Sequence, residues 1–143
     1  PAQRLMPELR YQLTFEGTVA PEDEMGERMT ISSVAAIPAA LNPVLAQNGH
    51  SAYLNAVVET DEYGGFTETG EISFGAGTIQ YTTRGEGFIE DTDEDDIQQG
   101  CVIRRIEGGS GIFENASGYI VSTFTVSTDA VIRDSQSAVI FTM

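Results

Sequence analysis

The chain has 143 residues and a mass of 15.4 kDa, and its 22 acidic side chains against 7 basic ones leave a formal net charge of -15. That length fits one domain over residues 1–143, large enough to bury about 68–70% of its unfolded surface without a disulfide or metal staple. The scarcity of cations excludes a nucleic-acid partner, and no apolar run approaches the roughly 20 residues of a membrane-spanning helix.

Every basic residue is Arg, so Schiff-base chemistry is absent and each cation is a permanently charged, fork-shaped donor. Cys101 is the sole cysteine, which rules out an internal disulfide and leaves the redox compartment open. The sequence starts Pro-Ala-Gln-Arg, without an initiator Met or an apolar signal, as expected of a processed or trimmed start. Location, cytoplasmic or secreted, stays undecided.

Strand patterning dominates from the first turn of the chain. Residues 10–19 place Tyr11, Leu13 and Phe15 on one face and Gln12, Thr14 and Glu16 on the other. Residues 32–49 are apolar but broken by Pro38 and Pro43, which predicts a helical turn or loop laid near one mouth of the domain. Residues 51–60 alternate again, with Ala52, Leu54, Ala56 and Val58 opposite Tyr53, Asn55, Val57 and Glu59. Runs at 66–74 and 77–86 are separated by a glycine turn, and 87–91 extends the second after a glycine kink. The acidic run 90–96 reads as an exposed loop, because no core accepts such charge unpaired. Residues 99–107, 118–128 and 131–142 complete the set, rich in the β-branched and aromatic residues of half-buried strands. Seven or eight antiparallel strands in so short a chain must dispose of their edges, and closure does so fully. The expected fold is all-β, an antiparallel up-and-down β-barrel of about eight strands. A sandwich is the alternative.

Few constellations carry chemistry. Asp91, Asp93 and Asp95 alternate as in a calcium loop, but Asp96 and Val102 stand where that loop needs Gly and Glu. A solvated turn is the plainer reading, and no metal site is expected. His50 is the only histidine, so zinc is disfavoured and His50 is either structural or a general acid-base at a barrel mouth. Arg104 and Arg105 must point to opposite faces of one strand. Arg104 shares a face with Val102 and Ile106 and is expected inside, against a carboxylate from Glu59, Glu71, Glu86 or Glu107. Such a cation either forms a structural bridge or orients a substrate oxygen. Tyr53, Tyr81 and Tyr119 bring polar tips to apolar walls. The candidate catalytic set is therefore Arg104, Glu59, His50 and Tyr81, with Tyr53, Tyr119 and Phe124 binding substrate.

Residues 106–119, IEGGSGIFENASGY, hold Ile106, Gly108, Gly109, Ser110, Gly111, Phe113, Ala116, Gly118 and Tyr119 in a spacing that resembles the allene oxide cyclase and dirigent barrel superfamily. The strand is expected to end at Ile106, with positive φ at Gly108, Gly109 and Gly111, and with Phe113 and Ala116 folded against the barrel end. The resemblance covers about a quarter of the chain and implies fold more than activity. It implies a cofactor-independent cyclase or isomerase that shapes a hydrophobic reactive intermediate in the lumen, in specialised metabolism, and a homodimer or homotrimer. A non-catalytic barrel that binds a lipid or other small molecule is the alternative.

Overall fold

The computed structural model describes residues 8–38, 43–47 and 49–142, and among them every regular element is a β-strand. In chain order these are β1 (Glu8–Pro21), β2 (Arg28–Ala36), β3 (Ser51–Thr60), β4 (Gly65–Phe74), β5 (Gly77–Thr83), β6 (Gly87–Asp91), β7 (Ile97–Gly111), β8 (Ser117–Ser127) and β9 (Val131–Phe141). All neighbours pair antiparallel, and the ring runs β1-β2-β3-β4-β5-β7-β8-β9 before β9 returns to β1. The short β6 follows β5 in the same gap, pairing with β4 at Gly65 and Phe66 and with β7 at residues 98–101. The protein is thus a closed eight-stranded barrel plus one extra strand.

Alternation explains the closure. Tyr11, Leu13 and Phe15 of β1, Leu54, Ala56 and Val58 of β3, and Ile132, Ala138 and Ile140 of β9 all face inward and are buried. Their polar neighbours face out, so one core fills the barrel. Glycines appear where staves approach closely. A Cβ on Gly17 would lie 1.9 Å from the Ser32 carbonyl oxygen, which only a hydrogen there permits.

Several boundaries differ from expectation: β1 is longer at both ends, β5 stops at Thr83, Glu90 and Asp91 belong to β6, and two further differences bear on the barrel's ends. Residues 32–36, expected in a loop, belong with residues 28–31 to strand β2, whose inward stripe of Ile31, Ser33 and Ala35 is too small and polar to stand out as a hydrophobic pattern. Of the rest of that stretch, Ile37, Pro38, residues 43–47 and Gly49 lie off the sheet, with Ile37, Leu45 and Ala46 buried in the core, and residues 39–42 and 48 lie outside the described residues. Strand β7 also runs past Ile106 as far as Gly111. An extra residue opposite Gln80 makes a bulge, since Ile79 pairs with Gly109 and Tyr81 with Ile106, and Gly108 takes a φ of 90° there. The turn itself is residues 112–116, with Phe113 and Ala116 buried against the end as expected.

Gly109 has no positive φ, and its requirement is steric: a Cβ there would sit 1.9 Å from the Thr78 carbonyl oxygen. Gly108 has open space but a left-handed backbone. Gly109→Val is therefore expected to cost well over 2 kcal/mol and Gly108→Ala about 1 kcal/mol. Urea unfolding midpoints compared at constant m-value check the order.

Candidate functional site

The two ends of the barrel differ. At one end Ile37, Leu45, Ala46, Phe74 and Phe113 fill the lumen, with Phe74 and Phe113 rings 5.5 Å apart. At the other end a cavity of about 320 Å³ opens between the walls. Val19, Ile31, Val58, Phe66, Phe124 and Ile132 are among its apolar lining, and Arg104 and Glu68 form its polar floor. Phe66 and Phe124 meet edge to face at 5.8 Å, which fixes one wall.

The floor is a charge cluster across β4, β7, β8 and β9. Arg104 follows the inward stripe of β7 and is 1% exposed. Its Nη2 donates to Glu68, with both carboxylate oxygens at 3.1 Å. Its Nη1 donates to Ser122 Oγ at 2.6 Å and to Asp134 Oδ2 at 3.2 Å. Tyr81 donates its hydroxyl to Glu68 and lays its ring 5.0 Å from the guanidinium carbon. On the far side Gln136 Nε2 donates to Asp134 Oδ2 at 2.9 Å, and Tyr11 donates to Gln136 Oε1 at 2.7 Å. Arg104 Nε and Asp134 Oδ1, both buried, have no hydrogen-bond partner among the described residues.

Burial alone pushes Arg104 toward its neutral form, but Glu68, Tyr81 and Asp134 outweigh it and hold the guanidinium charged. Burial raises the Tyr81 hydroxyl well above its ordinary value; Glu68 adds to the rise and Arg104 opposes it. Burial likewise raises Tyr11. Both phenols are donors at any physiological pH. One cation facing two carboxylates can polarise a carbonyl, anchor a neutral acceptor or hold the walls together, and its geometry suits all three.

Arg104, Tyr81 and Phe124 come together here as the sequence pattern indicated. The other candidates lie elsewhere. Glu59 ends an outward stripe and pairs with Arg28 Nη1 at 3.0 Å on the surface, and Glu71 and Glu107 also face out. Tyr53 and Tyr119 alternate outward and are 54% and 39% exposed, and Tyr119 stacks under Arg84 at 5.7 Å. His50 is exposed at the filled end, where its carbonyl accepts from Ile37 N–H, so the barrel lies between it and the cavity. The actual partners, Glu68 and Asp134, carried a signal. Glu68 interrupts the inward stripe Phe66, Ile72 and Phe74, and Asp134 interrupts Ile132, Ala138 and Ile140. A lone acid within an apolar stripe opposite a lone Arg in another is the mark of a buried pair.

No family model, no curated protein and no solved structure matches this chain.

Two outcomes test the floor. Arg104→Met alone leaves two buried carboxylates uncompensated and is expected to cost about 3–5 kcal/mol, whereas adding Glu68→Gln and Asp134→Asn restores most of the loss in chemical denaturation. Stability is also expected to fall above about pH 10, where unfolded tyrosines ionise while Tyr11 and Tyr81 stay protonated. The folded state then binds more protons, so each of these two groups removes about 1.4 kcal/mol per pH unit, and Tyr11→Phe with Tyr81→Phe flattens that slope.

Proposed function

We propose that the barrel takes up one small, largely apolar molecule bearing a neutral hydrogen-bond acceptor. The observation that carries this reading is Arg104 itself: it lines a cavity of about 320 Å³, is 1% exposed, and keeps Nε without a partner while its other nitrogens are engaged. A buried donor left unpaired costs about 1–3 kcal/mol, and a carbonyl, ester or ether oxygen entering from the mouth would relieve it. The cavity size falls within the range of small-molecule sites, and its wall is mostly apolar.

The catalytic version, a cofactor-independent cyclase or isomerase, is favoured by one further observation. Glu68 sits between Arg104 and the Tyr81 hydroxyl at the same floor. In such a reaction Arg104 would polarise the substrate carbonyl, Glu68 would exchange a proton with the adjoining carbon, and the walls would hold the chain in a reactive geometry away from water. The resemblance of residues 106–119 to allene oxide cyclase and dirigent barrels supports this extension, and no individual catalytic residue is carried over from it.

Titration calorimetry with methyl hexyl ketone tests the reading. The ketone is expected to bind, Val126→Trp at the mouth to abolish binding without loss of stability, and the neutralised variant Arg104→Met, Glu68→Gln, Asp134→Asn to bind about 10- to 100-fold more weakly. Equal binding by all three proteins would overturn it. Turnover of a ketone to an isomer, lost in the neutralised variant, would assign the catalytic version.

We further propose that two copies associate through the outer face of β7, β8 and β9. Ile103 and Val121, cross-strand partners, and Tyr119 are exposed there, and Arg105 and Arg133 face out beside them. Among the outward residues of these strands from Gln99 to Val139 the only acid is Glu107, so this is where two copies of a chain with charge -15 meet with least repulsion. Sedimentation is expected to show a dimer at micromolar concentration and a monomer for Ile103→Glu with Val121→Glu. A monomer of the unaltered chain at high micromolar concentration would refute it.

A further inference from the structure

Three buried side-chain polar atoms lack a hydrogen-bond partner among the described residues: Ser33 Oγ, Arg104 Nε and Asp134 Oδ1. Buried polar atoms are ordinarily paired, so each calls for a reason. All three residues stand on the lumen side of their strands. They also lie at the depth of the cavity floor. Arg104 lines the cavity itself, and Ile31 and Ile132, one inward position nearer the mouth than Ser33 and Asp134, line it above them. A serine hydroxyl can donate or accept and sets no condition on a guest. The other two atoms do.

Arg104 Nε and Asp134 Oδ1 make opposite demands. Nε donates and needs an acceptor, whereas a carboxylate oxygen only accepts and needs a donor. The other oxygen of Asp134, Oδ2, already takes Arg104 Nη1 at 3.2 Å and Gln136 Nε2 at 2.9 Å. With that contact made, the covalent spans of guanidinium and carboxylate keep Nε and Oδ1 within about 8 Å of each other. One small group can therefore reach both. A cation placed there would stand against the guanidinium, and an anion against Oδ1 and the Glu68 carboxylate. An anion would also have to pass the mouth loops, residues 22–27, 61–64, 92–96 and 128–130, which carry acids and no basic residue. A ketone, ester or ether satisfies Nε but leaves Oδ1 unpaired. What satisfies both is a neutral group with an acceptor and a donor close together.

We infer that the ligand is an apolar chain ending in a primary amide, with the chain along Val58, Phe66 and Phe124 and the amide on the floor. Its carbonyl oxygen accepts from Arg104 Nε, and its N–H donates to Asp134 Oδ1. This deepens the proposed uptake of an apolar molecule with an acceptor and rests on it; the donor is what is added.

The test compares heptanamide, methyl hexyl ketone and heptanoate by titration calorimetry on the intact chain. The ketone has the skeleton of the amide with a methyl group in place of NH2. The amide is expected to bind about 10- to 100-fold more tightly than the ketone, the usual effect of one hydrogen bond to a charged acceptor, and heptanoate more weakly than either. Asp134→Asn carries the argument to the residue. Its side-chain oxygen has to stay with the donors Arg104 Nη1 and Gln136 Nε2, so an NH2 group takes the place of Oδ1. In that variant the ratio of amide to ketone affinity is expected to fall to about one or below. Equal binding of amide and ketone by the unaltered chain, or a preference that survives Asp134→Asn, overturns the amide assignment and leaves the apolar site standing. Heptanoate binding as tightly as the amide overturns it too. The three ligands on the unaltered chain decide the matter even where the variant fails to fold. Failure of all three to bind overturns both readings.

Discussion

A guanidinium in the middle of a barrel sets the terms for everything around it. Arg104 is buried with its charge, so β4 presents Glu68, β8 presents Ser122 and β9 presents Asp134, each at the level of the barrel axis that the fork of nitrogens can reach. A slip of one residue in any of these strands would send that partner to the outer surface and strand the charge. The cluster therefore acts as a register pin between staves that are far apart in sequence. A hydrophobic contact cannot discriminate register so sharply, because apolar residues of similar size tolerate exchange.

The same cluster divides the lumen. On one side, Ile79, Ile120, Ile140 and the aromatic pair of Phe74 and Phe113 pack to the end of the barrel. On the other, the walls leave a cavity of about 320 Å³. A floor of fixed dipoles beneath an apolar shaft is the arrangement in which a single polar group on a guest is felt most strongly, since neither water nor protein motion has to reorganise around it.

Much of this was legible in the strand alternation. Residues 51–60 and 87–91 match strands β3 and β6 at both ends, and the inward placement of Arg104 followed from Val102 and Ile106 on either side. The rest is hidden in the sequence for physical reasons. Strand β2 carries Ser33 and Ala35 where a strand usually shows bulk, and at Ser33 the staves lie so close that its β1 partner, Gly17, has no room for a Cβ. Strand pairing points to acids on adjacent staves as partners of Arg104, whereas in a closed barrel a long side chain reaches across the lumen to staves that never pair with its own. Glu68 and Asp134 sit on such staves. His50 and Glu59 were attractive by residue type alone, and type carries no information about which end or face a residue occupies.

The filled end has a consequence for traffic. With Leu45, Ala46 and Phe113 occupying one end, the barrel is a cup and not a tube. Whatever enters between the acidic loops must leave by the same opening, so arrival and departure compete for one passage and cannot proceed in series. A guest wider than the rim would be kept from the floor whatever its affinity for Arg104, and one that fits would leave no faster than the rim lets it pass.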